Sequence, residues 1–212
     1  MALFLYVKGR ATMTTLDRLP VVIPANNVPG PKQGWWTYED YAALPDDGKR
    51  YEIVDGVLYM SPAPNIIHQR IVGRIFRYLS TYVEDAGLGL VLSAPTDVKL
   101  SPMDVFQPDV FIILNENREK IKEKYILGAP DLVVEVASPS TSGFDRREKQ
   151  DVYAHAGVQE YWVVNPDAHT VEVLVLEAGK YVSLSIFRGK AILPSRVMPE
   201  FPVAVEQFFP EA

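Results

Sequence analysis

The stretch that most constrains the fold is "APDLVVEVASPST", Ala129 to Thr141. Its centre, Leu132–Val136, is almost wholly apolar and β-branched, and it is bounded by Pro130 on one side and Ser138-Pro139 on the other. A short run of this kind predicts a strand covered on both faces, the situation of a central strand in an α/β sheet. Glu135 breaks the pattern, with Val134 before it and Val136 after it. An isolated carboxylate in such a strand loses its hydration, at a cost on the order of several kcal/mol, unless it is protonated, paired or bound to a cation.

The flanking sequence supplies the layers such a strand needs. Thr37 followed three residues later by Asp40 is an acidic capping box opening a short helix, which Pro45 and Gly48 end. The dipeptide Asp55-Gly56 between "RYEIV" and "VLYM" predicts a two-residue hairpin. From Asn65 to about Asp85, Ile67, Ile71, Val72, Ile75, Phe76, Leu79 and Val83 recur at helical spacing, with Gln69, Arg70, Arg74 and Arg77 elsewhere on the wheel. This is a long amphipathic helix lying on a sheet.

Strands are expected at about Leu90–Leu100 and at Asp109–Leu114, and Asn115–Lys124 as a loop or short surface helix. "FDRREKQDVYAHAG" predicts a helix closed by Gly157. Three more strands follow in "VQEYWVV", "TVEVLVL" and "YVSLSIF", and Tyr161-Trp162 are expected as core aromatics; Pro194, Pro199 and Pro202 mark an irregular tail. Buried central strands combined with antiparallel hairpins predict an α/β plan with a mixed central β-sheet flanked by α-helices.

A chain of 212 residues suits one sizeable core, so residues 35–212 are expected to form a single domain and residues 1–34 an N-terminal extension, partly disordered, with Met13 as the expected initiator. No apolar run approaches the length of about 18 residues that spans a bilayer, and the apolar patch Met1–Tyr6 is too short for a signal-peptide core. A soluble, cytoplasmic protein with no membrane partner is expected. The absence of cysteine excludes disulfides, thiolate zinc sites and a cysteine nucleophile, so any metal must be held by oxygen or histidine nitrogen. The net charge of −6 argues against broad electrostatic capture of nucleic acid and leaves room for a local basic groove.

Three carboxylates fall inside or at the ends of these strands: Glu52 in "YEIVDG", Asp109 in "QPDVFI" and Glu135. Singly, Glu52 could face solvent from an edge hairpin, Asp109 could be a turn residue after proline, and Glu135 could pair with a buried arginine. Together, acids on the central strands of one sheet come within several ångströms of one another and repel unless a cation lies between them. Oxygen ligands without cysteine point to Mg²⁺, with Mn²⁺ as its substitute. Lys149 shares a helical stripe with Val152, Tyr153 and Ala156, which places a lysine on the sheet-facing side; the alternative is a surface pair with Asp145. There an ammonium could orient the attacking water and stabilise charge developing at phosphorus.

The ordered set of Glu52, Pro108-Asp109, "EVASPST" from Glu135, Lys149 and Tyr153 ahead of "GVQEYWVV" resembles the PD-(D/E)xK nuclease superfamily with its restriction-endonuclease-like fold. More closely it is similar to the Uma-type family of endonucleases, long catalogued as a domain of unknown function, over about Thr37 to Phe209. The resemblance implies a Mg²⁺-dependent endonuclease that hydrolyses DNA with a metal-activated water. In that reading Asp109 and Glu135 with the Val136 carbonyl hold the metal, Glu52 completes the site or a second metal position, and Lys149 positions the water. The superfamily lysine two residues after the second acid is replaced here by Ala137, so Lys149 would be its migrated counterpart. His68 lies on the apolar stripe of Val72, Ile75 and Leu79 and reads either as a satisfied core residue or, with Tyr153, as a contact behind the metal or to a substrate phosphate. Superfamily enzymes that cut both strands commonly work as dimers, and the hydrophobic later hairpins offer an edge for a homodimer. Two other readings are an inactive relative kept as a DNA-binding or assembly module, and a metal-dependent hydrolase of a small phosphodiester.

Overall fold

The computed structural model describes residues 23–61, 63–137 and 144–210, with the backbone alone at Ile23 and 144–148. The expectations for the opening residues and for Ser138–Thr141 lie outside the described residues. The chain is mixed α/β, as its pattern predicts, but its strands are divided between two six-stranded mixed sheets instead of one.

The first sheet contains β1 (Ile23–Pro24), β2 (Arg50–Val54), β3 (Val57–Ser61), β5 (Asp97–Ser101), β6 (Asp104–Phe106) and β8 (Tyr125–Leu127), in the order β1-β3-β2-β6-β5-β8. The second contains β4 (Gly89–Ser93), β7 (Val110–Leu114), β9 (Leu132–Val136), β10 (Glu160–Asn165), β11 (Thr170–Glu177) and β12 (Lys180–Arg188), in the order β12-β11-β10-β9-β7-β4. Each sheet has one parallel pair, β5 with β8 and β9 with β10; every other pairing is antiparallel.

The chain passes between the sheets five times, and two of these passages, β4 to β5 and β6 to β7, fall at Pro95 and Pro108. The apolar run expected as a single strand at 90–100 is two strands, β4 and β5, because Pro95 interrupts the ladder and the chain changes sheet there. Gln107-Pro108 makes the passage between β6 and β7. The β2–β3 hairpin turns at Asp55-Gly56, both with positive φ (48° and 70°), the conformation for which this dipeptide is favoured.

Three α-helices among the described residues cover the sheets. α1 (Tyr38–Ala42) starts at the Thr37–Asp40 capping box, and α2 (Ile66–Val83) starts at Asn65, whose side chain accepts from His68 N. α3 (Phe144–Ala156) ends at Gly157, with φ 92°. α2 buries Ile71, Ile75, Leu79 and Val83 against one face of the second sheet, together with Phe201 and Phe208 from the tail. The other face of that sheet, through Phe111, Ile113 and Val133, packs with Tyr153 and Val158 and with Val54, Val98 and Phe106 of the first sheet. Trp36, Tyr51, Ile53 and Leu58 close the far side of the first sheet. Asn115–Lys120 is a 3-10 helix.

Candidate active site

Strand alternation decides where the acids point. Asp109 shares a side with Phe111 and Ile113, Glu135 with Val133, and Glu52 with Val54, all of which line the layer between the sheets. The β7–β9 register pairs Val110 with Val134, so extending it by one residue sets Asp109 directly opposite Glu135. Asp109 Oδ2 accepts the Val136 amide at 2.8 Å across this pair.

α3 delivers two groups from one stripe, at a spacing of four residues. Lys149 Nζ lies 2.8 Å from Glu52 Oε2, 3.1 Å from Glu52 Oε1 and 3.6 Å from Glu135 Oε1. Tyr153, fully buried, donates its hydroxyl to Glu135 Oε1 at 2.9 Å. Lys149 therefore lies inward, its side chain only 11% exposed; the side chain of Asp145, its alternative partner, lies outside the described residues. Glu52 also accepts the Gln107 amide at 3.0 Å. From the start of α2, His68 Nε2 reaches within 3.1 Å of Asp109 Oδ2, while its Nδ1 is buried with no hydrogen-bond partner among the described residues. The structure thus brings Glu52, Asp109, Glu135, Val136, Lys149, His68 and Tyr153 together, although the first comes from one sheet and the next three from the other.

This crowding sets the protonation of the cluster. Burial, then the neighbouring charges of Asp109 and Glu52, push the Glu135 carboxyl up to about 8, against the pull of Lys149 and the Tyr153 hydrogen bond. Burial, reinforced by the negative charges of Glu135 and Glu52, drives the Tyr153 phenol well above its ordinary range, so its hydroxyl keeps the proton it donates. For His68, burial opposes the charged ring, but the hydrogen bond and charge of Asp109, with Glu135 and the Val136 backbone, outweigh it and raise its pKa.

Sequence reasoning missed a second tier of residues behind Glu52. Gln107 Nε2 donates to Asp97 Oδ1 at 2.9 Å and to the Tyr41 hydroxyl at 3.1 Å, and that hydroxyl donates to Asp97 at 3.0 Å. Arg50 donates from Nε to Gln107 Oε1 and from Nη2 to the Gln107 carbonyl, at 3.0 and 3.2 Å. The available signal was Gln107 itself, a polar residue between Phe106 and Pro108 at the junction of two strands.

Asp109 and Glu135 could hold a hard divalent cation. They oppose each other across adjacent strands, and Asp109 Oδ1 and Glu135 Oε2 accept no hydrogen bond from another described residue. Among the described residues, no three histidine or carboxylate side chains are grouped to hold a metal. The two oxygens of Glu52 are engaged by the Lys149 ammonium and the Gln107 amide. The residues present therefore fit a cation held by two protein carboxylates.

The fold is mixed α/β and gathers acids and a lysine between its layers. The chain belongs to the Uma2 family, described as "Putative restriction endonuclease", whose model matches residues 38–206. A solved structure from Anabaena variabilis, titled as a "putative nuclease belonging to DUF820", shares this fold with a TM-score of 0.69 at 18% identity, over 82% of this chain and 97% of that one. An uncharacterised protein of Synechocystis sp. is 25% identical over 128 residues, 58% of this chain and 71% of its own length. No helix among the described residues is long and apolar enough to cross a membrane.

Proposed function

We propose that this chain is a metal-dependent endonuclease that hydrolyses phosphodiester bonds in DNA, using Mg²⁺ with Mn²⁺ as a substitute, in the cytoplasm. The observation that carries the reading is the Asp109–Glu135 pair, opposed across β7 and β9 with Lys149 lodged beside it. Two carboxylates facing each other in a buried layer are mutually destabilising without a cation, so the arrangement favours one. Asp109 and Glu135, with the Val136 carbonyl, would hold the metal, which when bound supplies Lewis-acid polarisation of a phosphoryl oxygen and a more acidic water.

The chain's own groups supply the rest. Lys149, fixed by Glu52, holds a positive charge where a phosphate oxygen gains negative charge, and it can orient the attacking water. Glu52 sets the position of that ammonium and, once released from it, offers carboxylate oxygens to the same site. Tyr153 and His68 fix Glu135 and Asp109 by hydrogen bonds, which keeps the ligand carboxylates oriented. Because the acids come from both sheets, we take residues 35–212 as the working unit. A homodimer, an arrangement suited to cutting both strands, would pair through the exposed edge strand β12, where Val182, Leu184 and Ile186 face solvent.

The test is incubation of supercoiled and single-stranded DNA with the protein and Mg²⁺, Mn²⁺ or EDTA. Nicking that needs the metal and is lost in EDTA is expected. If neither substrate is cut with either metal while a small phosphodiester is hydrolysed, the substrate is the small molecule. If nothing is cut, the nuclease reading fails in favour of an inactive module.

A further inference from the structure

The mechanism above leaves one buried-edge cation unused. Arg50 opens β2, half-buried, and sits two residues from Glu52 on the same side of the strand, about 7 Å along it. Both residues are tied to one peptide unit: Glu52 accepts the Gln107 amide, and Arg50 grips the Gln107 carbonyl and side-chain oxygen at 3.2 and 3.0 Å. Gln107 is itself fixed by Asp97 and Tyr41 and is 6% exposed, so the guanidinium is anchored on a rigid support.

What anchors Arg50 is neutral. A guanidinium has five N–H donors, and those spent here go to an amide and a backbone oxygen, with no ion pair to a carboxylate of any described residue. A half-buried arginine held only to stabilise the fold would be better served by an acid. An immobilised arginine that keeps its charge and spare donors, beside an acid-lined site at the outer end of a strand, is suited to bind an oxyanion.

We propose that Arg50 is a substrate-binding residue that grips a phosphate of the nucleic-acid strand next to the bond being cut, with Gln107 as its positioning residue. The assignment rests on the nuclease reading. It also answers how a chain of net charge −6 brings a polyanion to three acids: a fixed cation at the rim, separate from the metal, sets the register of the strand.

The experiment is fluorescence anisotropy of a labelled oligonucleotide duplex with Ca²⁺ supplied as the cation, over a range of salt concentrations, for the parent, Arg50→Gln and Arg50→Lys. Arg50→Gln should weaken binding roughly 10- to 100-fold and reduce the slope of log affinity against log salt by about 0.9, the mark of one lost phosphate contact. Its Mn²⁺ affinity should equal the parent's. Arg50→Lys should keep the slope, because the charge remains, yet bind more weakly than the parent. If a melting curve shows that Arg50→Gln does not fold, Arg50→Lys decides alone. Parental affinity together with parental slope in the folded variant overturns the assignment while leaving the nuclease reading intact. Failure of the parent itself to bind overturns the nuclease reading, and the Arg50 assignment with it.

Discussion

Lys149 Nζ lies 2.8 Å from Glu52 and 3.6 Å from Glu135, so one ammonium serves a carboxylate from each sheet. This contact is the electrostatic link across the inter-sheet layer, and both partners of its shorter arm are nearly excluded from solvent, at 11% and 7% side-chain exposure. An ion pair so placed is worth little against an apolar pair of the same shape, but removing one member strands the other charge.

Lys149→Met should therefore destabilise the fold by about 3–5 kcal/mol in urea unfolding. Adding Glu52→Gln should recover much of that loss, because the stranded carboxylate is gone. In the folded fraction, single-turnover cleavage should fall about 10²–10³-fold while Mn²⁺ still binds at Asp109 and Glu135. Parental cleavage by Lys149→Met would remove the lysine from the chemistry.

Asp109→Asn should keep the fold, since an amide oxygen can still accept the Val136 N–H that Asp109 Oδ2 accepts at 2.8 Å. It should abolish the rise in melting temperature on adding Mg²⁺ or Mn²⁺. Calorimetry checks it: Mn²⁺ binding as tight as the parent's would mean the metal, if any, is held elsewhere.

The parts of this site that were legible in the sequence are those where local pattern and chemistry conflict. Glu135 in a valine strand and Lys149 on a sheet-facing stripe break a periodicity, and the structure turns both inward. The hairpin at Asp55-Gly56 and the Asn65-capped α2 were legible because each depends on a few adjacent residues. The division into two sheets was not, because "GLVLSAPTDVKLS" is apolar and β-rich on both sides of Pro95 and nothing local says that its halves pair with different partners. The three-residue strands β6 and β8 are too short to show a period. Arg50, Asp97 and Tyr41 were missed because each is unremarkable in its own segment, and only the fold makes them neighbours of Gln107.

Metal-free protein should lose stability as pH rises from about 4.5 to about 8. The Glu135 carboxyl is raised to about 8 by burial and by Asp109 and Glu52, so the folded state holds its proton more tightly than the unfolded chain does. The unfolded chain releases that proton first, and stability falls through this window, then levels once both states are ionised. Unfolding in EDTA at pH 5 to 9 checks this against Glu135→Gln, in which that component should vanish. Parallel curves for the two proteins would show that Glu135 titrates normally.

Glu160 is fully buried but belongs to the scaffold. It accepts from Trp162 Nε1 at 2.6 Å and from the Arg196 and Val197 amides at 2.6 and 3.3 Å, pinning the tail to β10. Glu160→Ala leaves these donors without partners and should cost about 2–4 kcal/mol in urea unfolding, with Mn²⁺ affinity of the folded protein unchanged. A loss of metal affinity without a loss of stability would contradict this separation.

Tyr153→Phe isolates the hydrogen bond behind Glu135. The ring packs against Phe106 and Tyr161, with centroids 5.1 and 5.4 Å away, and phenylalanine preserves both contacts. Only the hydroxyl's 2.9 Å bond to Glu135 Oε1 is lost, which costs about 1 kcal/mol in stability. That bond favours the ionised carboxylate, so without it Glu135 should hold its proton to higher pH and be less well oriented. Loss of such an outer contact lowers metal affinity by roughly 10–100-fold where the carboxylate is a ligand. The expected result is weaker Mn²⁺ binding at pH 7 in calorimetry, recovering in part at pH 9, with a melting temperature close to the parent's. Unchanged Mn²⁺ affinity at both pH values would show that Tyr153 serves packing alone and would count against Glu135 as a metal ligand.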